Sequence, residues 1–280
     1  MNPKSTSARF ASNFRLNPIG GAGAAPPARF IMVCAMAFVA SVVATVYFCR
    51  LMSGGMEMPG GWTMSMMWMR MPGQTWTASA AMFMLMWLTM MVAMMLPSTL
   101  PMLLDFRQSL PGNTNRNSGA PVIFAASGYF LVWLVFGAAV YPAGVMFALA
   151  AMRLDWLSRM VPALSGAALM VAGAIQLTAW KMSGLRRCRT SGCAELSGGD
   201  ALKAGCCHGL KQGVVCFICC LAPMLALLVL GAMNLKVMIL IAATIATEKL
   251  VSKPEPFVRI FGIAALITGA VAIAKSLVPP

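Results

Sequence analysis

Long apolar runs divide this chain, and they constrain its fold more than any other feature. A run of roughly 18 or more apolar residues is typical of a membrane-spanning helix. Seven runs are present, at about 30–50, 77–104, 121–150, 161–180, 213–231, 236–248 and 257–278. They are continuously apolar and do not alternate with polar residues, which favours helices over a barrel. The sequence therefore predicts an all-α, polytopic transmembrane helical bundle of about seven spans, of which the sixth is the shortest.

The composition agrees with a lipid environment. Of the 280 residues, 60% are apolar and only 10% are charged, and the mean hydropathy is +0.80. A soluble domain has roughly 25% charged residues. So little charge cannot cover a surface that faces water, and we therefore expect the lipid bilayer to be the main partner of the chain.

The net charge of +14 is explained by topology rather than by nucleic-acid binding. If the N-terminus is cytoplasmic, 15 of the 21 basic residues lie on the inner side. The outer segments hold the other six: Arg50, Arg70, Arg153, Arg159, Lys236 and Lys275. This distribution follows the positive-inside rule, and it suits contact with anionic headgroups. It predicts that the loop at 54–74 is outside and that a basic loop at 181–211 is inside.

Residues 1–29 precede the first run and differ from the rest of the chain. They are rich in Ser, Ala, Pro and Gly and contain four basic and no acidic residues, a composition typical of a disordered tail. The run that follows is longer than a signal-peptide core and lacks a small-residue cleavage site. We therefore expect a cytoplasmic tail at 1–29 and an integral membrane domain at 30–280.

Methionine is concentrated in the first outer loop and the second span, which hold 16 of the 27 methionines between Met52 and Met102. The loop candidates for metal binding are Met56, Met58, Met64, Met66, Met67, Met69 and Met71. In extended backbone an M-x-M pair points two thioethers the same way, and a turn can bring several together. Thioether is a soft, uncharged ligand that suits Cu(I). The alternative is that methionine is a flexible filler in a hairpin that lies on the membrane.

The second span continues this pattern. At 100° per residue one stripe contains Met84, Met91, Met95 and Met102, and an adjoining row contains Met82, Met86, Met90 and Met94. Four of these methionines, Met91, Met94, Met95 and Met102, are candidate ligands, with helix packing as the alternative. Pro97 and Pro101 each remove a backbone donor, which predicts a kink near the inner end.

Seven of the nine cysteines lie between 188 and 220. In C-F-I-C-C, Cys216, Cys219 and Cys220 stand at i, i+3 and i+4 and share one helical face. They are candidate ligands for Cu(I), zinc or an iron–sulfur cluster, unless they are small apolar residues at a helix interface.

The remaining polar groups are less informative. Five residues of the predicted inner loop, Cys188, Cys193, Cys206, Cys207 and His208, match no zinc motif in their spacing, so they are either a weak acceptor site or free cytosolic thiols. Glu248 and Lys249 are interpreted as a pair at the membrane edge, with a gating or ligand role as the alternative. The seven acidic residues are scattered and no phosphate-binding loop is present, so we do not expect an enzyme.

Several motifs occur in the order found in one known family. They are "WLTMMVAMMLPSTLPMLL" (87–104), "AWKMSGLRRCR" (179–189), "GVVCFICCLAPM" (213–224), "GAMNL" (231–235) and "TEKL" (247–250). Over roughly residues 50–275 the chain resembles the predicted metal-binding integral membrane proteins, the family named domain of unknown function 2182. The resemblance implies a multi-pass protein of the bacterial inner membrane that handles a metal, with copper favoured. The matching signature positions are Met94, Met95, Pro97, Met102, Cys188, Cys216, Cys219, Cys220, Met224, Met233, Asn234, Glu248 and Lys249.

The chain departs from that family pattern at two positions. The family has a histidine where this chain has Gln212, and a cysteine where it has Gly184. If those groups are ligands, this protein binds metal with fewer of them, or Cys206, Cys207 and His208 replace them. Zinc needs imidazole or four thiolates, so the loss favours Cu(I).

These observations lead to one main hypothesis and two alternatives. The outer methionines capture Cu(I), the second-span thioethers pass it inward, and Cys216, Cys219 and Cys220 receive it, for uptake or for delivery. The first alternative is a membrane copper chaperone that does not transport, working with another copper chaperone or a membrane cuproenzyme. The second is a structural membrane protein in which methionine and cysteine only pack.

Overall fold

The computed structural model describes residues 28–52, 54–70, 73–109, 119–190, 201–251 and 253–277. These residues form eight α-helices and one two-stranded hairpin that ends in a short 3₁₀ turn at Met66–Trp68. In chain order the elements are α1 Ala28–Leu51, β1 Gly55–Met58, β2 Trp62–Ser65, α2 Trp76–Ser109, α3 Ala120–Arg153, α4 Asp155–Leu177, α5 Ala179–Thr190, α6 Ala201–Leu230, α7 Leu235–Leu250 and α8 Glu255–Leu277. The prediction of an all-α helical bundle is confirmed.

Six helices are long and apolar enough to cross a membrane: α1, α2, α3, α4, α6 and α8. This is the architecture of a multi-pass membrane protein. The sixth apolar run forms α7, which has only 16 residues. The count of about seven spans and the cytoplasmic N-terminus stay predictions. The predicted tail lies outside the described residues except for Ala28 and Arg29, which begin α1.

The prediction of a loop at 181–211 is wrong for most of that segment. α5 covers its first part, and α6 begins at Ala201, well before the apolar run at 213–231. Hydropathy detects only the apolar part of a helix, whereas Lys, Arg, Ala and Leu all favour helix whether or not they are buried. Cys188 therefore lies on α5, and Cys206, Cys207 and His208 lie on the first turns of α6. Cys193 is outside the described residues.

Three glycines allow α6 to pack directly on the backbone of α3. They are spaced four residues apart and so share one face of the helix. A Cβ atom at Gly205, Gly209 or Gly213 would lie 2.5, 2.0 or 3.0 Å from the carbonyl oxygen of Pro121, Ala125 or Tyr129, respectively. Small residues at this spacing are a common means of close helix packing in membranes. The two helices run parallel, and this contact brings Tyr129 beside Cys216.

α4 and α8 pack in a similar way, but antiparallel. A Cβ atom at Gly166 would lie 2.7 Å from the carbonyl oxygen of Gly269, and one at Gly173 would lie 2.7 Å from that of Gly262. Gln176, near the C-terminal end of α4, connects this pair of helices to α7, because its Nε2 donates to Glu248 Oε1.

α2 packs against α1, α3 and α7 and is continuous through Pro97 and Pro101. Most of its buried side chains form one cluster with residues of α1, α3, α6 and α7. Two tryptophans anchor the middle of this cluster: both Trp87 and Trp133 are fully buried, and Trp87 Nε1 donates to the carbonyl oxygen of Trp133 at 2.9 Å. α1 lies at the periphery and exposes most of its apolar residues, as expected of a helix that faces lipid.

Substitution of Gly209 tests the α3–α6 contact. In Gly209→Ala the added methyl group would collide with the backbone of Ala125, and overpacking of this kind costs about 1–3 kcal/mol. We expect a lower midpoint of thermal unfolding for the detergent-solubilised protein.

Gly184→Ala is the matched control, because its Cβ atom would meet its nearest neighbour at 3.7 Å, an ordinary contact. Alanine also favours helix over glycine by up to about 1 kcal/mol, so the control should be unchanged or slightly more stable. Equal midpoints for the two variants would contradict the proposed packing.

Candidate metal centre

Three thiols lie together on one turn of α6. The Sγ atoms of Cys216, Cys219 and Cys220 are within 4.8 Å of one another, and all three side chains are buried. Cys220 Sγ is 3.8 Å from Cys216 Sγ and 3.6 Å from Cys219 Sγ. The predicted common face is therefore confirmed. Among the described residues this is the only group of three or more His, Cys, Asp or Glu side chains with such spacing.

The spacing of the three sulfurs fits a single metal ion. Metal–thiolate bonds of about 2.3 Å in a tetrahedral arrangement place neighbouring sulfurs about 3.8 Å apart. The separations in this cluster need little adjustment to meet that value. The thiols are also free rather than joined in a disulfide. The α6 thiol cluster, meaning Cys216, Cys219 and Cys220, is therefore close to the geometry of a metal site.

Cys216 accepts hydrogen bonds from two other helices. Lys249 Nζ on α7 lies 2.8 Å from Cys216 Sγ, and Tyr129 Oη on α3 lies 2.9 Å from it. The lysine ammonium has donors only, so the sulfur must act as the acceptor, and a thiolate is the stronger acceptor. Lys249 Nζ also donates to Ser98 Oγ on α2 at 3.3 Å. A buried positive charge thus stands beside one of the candidate ligands.

Cys188 approaches the α6 thiol cluster from α5. Its side chain is partly buried and packs against the buried cluster that contains Cys216, Cys219 and Cys220. Gln212 Nε2 donates to the carbonyl oxygen of Cys188 at 2.9 Å. The structure therefore brings the fourth cysteine of the predicted set to the other three, and it places Gln212 between α5 and α6.

A buried ion pair lies next to the thiols. Lys181 Nζ is 2.8 Å from Glu248 Oε2, and each side chain is only 2% exposed. Lys181 Nζ also donates to the carbonyl oxygen of Cys219, and Gln176 Nε2 donates to Glu248 Oε1. The interpretation of Glu248 and Lys249 as a pair at the membrane edge is wrong. Neighbours on one helix point in different directions, so Glu248 pairs with α5 while Lys249 reaches Cys216.

Most methionines of α2 face the same buried cluster as the cysteines. Met91 and Met95 are fully buried, Met94 is 2% exposed, and Met102 is partly buried at the edge of the cluster. The other members of the two predicted rows follow the same pattern: Met86 and Met90 are buried, and Met82 and Met84 are partly buried. The two rows therefore point into the bundle rather than toward lipid.

The methionines of the outer loop lie on the hairpin and its 3₁₀ turn. The antiparallel register pairs Met56 with Met64 and Met58 with Trp62, so these four side chains share one face. Gly60 and Gly61 form the turn with positive φ angles, which glycine adopts at little cost. The hairpin is held to the start of α4, because Trp62 Nε1 donates to the carbonyl oxygen of Ser158 at 2.9 Å.

The hairpin methionines differ in exposure. Met58 and Met64 are buried against Ala148 and Ala151 of α3, whereas Met56 is 44% exposed. Met66 and Met69 are partly buried, and Met67 is buried in the large cluster that also holds the α2 methionines and the α6 thiols. Met71 lies outside the described residues.

Of the predicted inner acceptor residues, Cys188 lies at the site, Cys206, Cys207 and His208 do not, and Cys193 is outside the described residues. The His208 ring stacks on Phe106, with centroids 4.9 Å apart, and Cys207 is exposed on α6. His208 lies eight residues before Cys216 on the same helix, a rise of about 12 Å. These residues therefore do not replace the groups missing at 184 and 212. Both of those positions line the site, since a Cβ atom at Gly184 would contact Cys219 Cβ at 3.7 Å.

Sequence reasoning missed Tyr129, Lys181, Gln176 and Ser98. One signal was available: a lysine, a glutamate and a glutamine in otherwise apolar segments indicate a buried polar site in a membrane protein. A second was the G-x-x-x-G-x-x-x-G pattern at 205–213, which predicts a close helix partner. Neither pattern identifies which residue on another helix is contacted, so Tyr129 and Ser98 could not have been found.

The part of the chain that forms this site matches a known protein family. The family model PpoB2, described as a copper chaperone, matches residues 84–272. The chain belongs to the PpoB2 copper chaperone family. No curated protein and no solved structure matches the chain significantly.

The PpoB2 match covers the part of the chain that forms the site. It includes α2 from Met84 onward, all four clustered cysteines and the Lys181–Glu248 pair, while the hairpin lies before it. The expectation of a copper-related family is thus confirmed. The family and the α6 thiol cluster together indicate copper handling.

The Lys181–Glu248 pair gives a prediction that is independent of copper. Breaking a buried ion pair from one side costs about 3–5 kcal/mol, because the partner charge is left uncompensated. We expect Lys181→Met and Glu248→Leu each to lower the unfolding midpoint of the metal-free protein in detergent strongly. The double variant buries no unpaired charge and should regain most of the loss.

The measurement is a double-mutant cycle of thermal unfolding in one detergent. Additive effects of the two substitutions would show that the side chains do not interact, and the assignment of a buried pair would then be wrong.

Proposed function

We propose that this protein is a membrane-embedded copper chaperone whose cargo is Cu(I), held by the α6 thiol cluster after capture by the outer methionines. It binds and hands on its cargo and has no enzymatic activity. The observation that carries the proposal is the geometry of the site: three buried thiols at metal-binding spacing, with a lysine ammonium 2.8 Å from one of them.

Charge balance and the number of ligands together favour Cu(I) as the cargo. An uncompensated charge is costly inside a membrane bundle. Two thiolates, one Cu(I) and the ammonium of Lys249 sum to zero net charge, while the Lys181–Glu248 pair is neutral by itself. Three thiolates with Zn²⁺ and Lys249 would also sum to zero, but zinc usually takes four ligands, and the α6 thiol cluster supplies only three. Cu(I) also suits a set of ligands made only of sulfur.

The methionines supply a route to the thiols. One continuous buried cluster contains methionines of the hairpin turn and of α2 together with the three α6 cysteines. Its methionines on this route are Met67, Met86, Met90, Met91, Met94 and Met95. Successive thioethers along α2 can exchange Cu(I) without a change in oxidation state. Thiolate is a stronger Cu(I) ligand than thioether, so cargo that follows this route ends at the cysteines. The exposed Met56 is suited to the first contact with the metal.

The packing of α2 supports a chaperone rather than a water-filled channel. Met91 and Met95 are fully enclosed by neighbouring side chains. A cavity of about 340 Å³ between α1, α2 and α7 reaches Met94, but the residues that line it are almost all apolar. Ligand exchange between sulfurs requires no aqueous pore. We place the protein in the bacterial inner membrane with its N-terminus inside, where a copper donor or a membrane cuproenzyme is its partner.

The test measures Cu(I) retained by the purified, detergent-solubilised protein after loading under reducing conditions. We expect the wild type to retain about one or more Cu(I) per chain, as a site of two to four sulfurs allows. Cys216→Ala/Cys219→Ala/Cys220→Ala should lose the retained copper. If the wild type retains none, the proposed function is wrong.

Two sets of methionine substitutions distinguish a role in capturing Cu(I) from a role in storing it. In the first variant, the six described methionines of the hairpin and its turn are changed to leucine: Met56, Met58, Met64, Met66, Met67 and Met69. This variant should load more slowly at limiting Cu(I) but retain as much Cu(I) as the wild type. Changing Met91, Met94 and Met95 to leucine conserves volume at a cost below about 1.5 kcal/mol each and should slow loading as well. Met36 and Met146 are 59% and 71% exposed on the outside of the bundle, and their leucine variants are the controls. Equal loading rates in all variants would mean that the methionines only pack.

Lys249 provides a second prediction about the cargo. A hydrogen bond to a charged group contributes about 1.5–3 kcal/mol, so Lys249→Met should weaken Cu(I) binding by about 10- to 100-fold. Lys249→Arg keeps the charge and should retain most of the affinity. Competition with a chromophoric Cu(I) chelator measures both. Equal losses in the two variants would indicate a packing role for Lys249 rather than an electrostatic one.

A further inference from the structure

The four clustered thiols differ in their access to the outside of the bundle. Cys216, Cys219 and Cys220 are 0%, 1% and 2% exposed and lie on α6 in the core. Cys188 is partly exposed and belongs to α5, a helix of only 12 residues that is not among the six long apolar ones. A metal ion held by these three buried thiols would have no direct contact with a soluble acceptor, whereas Cys188 packs against the buried cluster and is itself partly exposed.

α5 lies directly over the thiol cluster and is attached to it at both ends. At its beginning, Lys181 binds Glu248 of α7 and the carbonyl oxygen of Cys219. At its end, Gln212 of α6 donates to the carbonyl oxygen of Cys188. Between them Leu185 is 1% exposed, and Gly184 has no side chain to hold α5 away from Cys219. Cys188 therefore lies against the thiol cluster, on the side of the cluster that α5 covers.

We infer that Cys188 is the transfer ligand of this protein, the thiol through which Cu(I) passes between the buried α6 cluster and a soluble acceptor on the α5 side. This inference rests on the proposed function and adds to it the place and the residue of release. It assigns storage to Cys216, Cys219 and Cys220 and exchange to Cys188.

The transfer is a ligand exchange without a redox step. A bond forms between Cu(I) and the sulfur of Cys188 while the bond from Cu(I) to one α6 thiolate breaks. The proton of the Cys188 thiol passes to the sulfur that has released the metal. Copper stays Cu(I), the number of thiolates on it is unchanged, and the acceptor then replaces the remaining α6 ligand from the α5 side.

The experiment compares the stored amount of copper with its rate of release. Protein loaded with Cu(I) in detergent is mixed rapidly with the water-soluble chelator bathocuproine disulfonate, and the absorbance of the Cu(I) complex is followed. Cys188→Ser should retain as much Cu(I) as the wild type but release it at least about tenfold more slowly, since the exchange step has lost its incoming ligand. Cys207→Ser is the matched control, because Cys207 is an exposed thiol of α6 outside the cluster, and it should behave as the wild type.

The possible outcomes are distinct. Release at the wild-type rate from Cys188→Ser would overturn the inference. Loss of retained copper from Cys188→Ser, with an unchanged unfolding midpoint of the metal-free protein, would also overturn it and make Cys188 a storage ligand. In both cases the proposed function would stand, because the wild type still binds Cu(I). A wild type that retains no copper would overturn both proposals.

Discussion

The contact between Lys249 and Cys216 fixes the centre of this structure. An ammonium group in an apolar bundle must have partners, because its desolvation is otherwise not compensated. Here the partners are the sulfur of Cys216 at 2.8 Å and the hydroxyl of Ser98 at 3.3 Å, while Tyr129 donates to the same sulfur. Residues of α3 and α7 therefore contact the Cys216 thiol of α6 directly, and Ser98 of α2 joins them through Lys249. The Lys181–Glu248 pair adds α5 to this junction, and Gln176 adds α4.

The same contacts prepare the site for metal. Sulfur atoms that are already 3.6 and 3.8 Å apart need little rearrangement to bind one ion, and less ordering means a smaller entropic cost of binding. The glycine face of α6 makes this possible, because Gly213 lets the backbone of α3 approach and so brings Tyr129 to Cys216. The close packing of α3 on α6, the buried charge of Lys249 and the spacing of the α6 thiols therefore all depend on the same arrangement of helices.

The sequence was sufficient for the fold class and for the thiol cluster, and insufficient for most other parts of the site. Apolar runs and i, i+3, i+4 spacing are local properties, so the helices and the common face of Cys216, Cys219 and Cys220 could be predicted. The partners of Lys249 and Glu248 are set by how distant helices pack, which no local pattern encodes. The limits of α5 and α6 were missed for a different reason, since hydropathy does not detect a helix whose residues are charged.

In the proposed function, the distribution of ligands would give the cargo a direction without an energy source. Thioethers are neutral, so they would hold Cu(I) but leave its charge uncompensated within the bundle. At the α6 cluster two thiolates and Lys249 would bring the total charge to zero, so we expect Cu(I) to be more stable there than on the methionines of α2. Stronger binding would trap the metal in a site that is almost completely buried. Release then requires a ligand of similar strength that is partly exposed, and among the four clustered thiols only Cys188 meets that requirement.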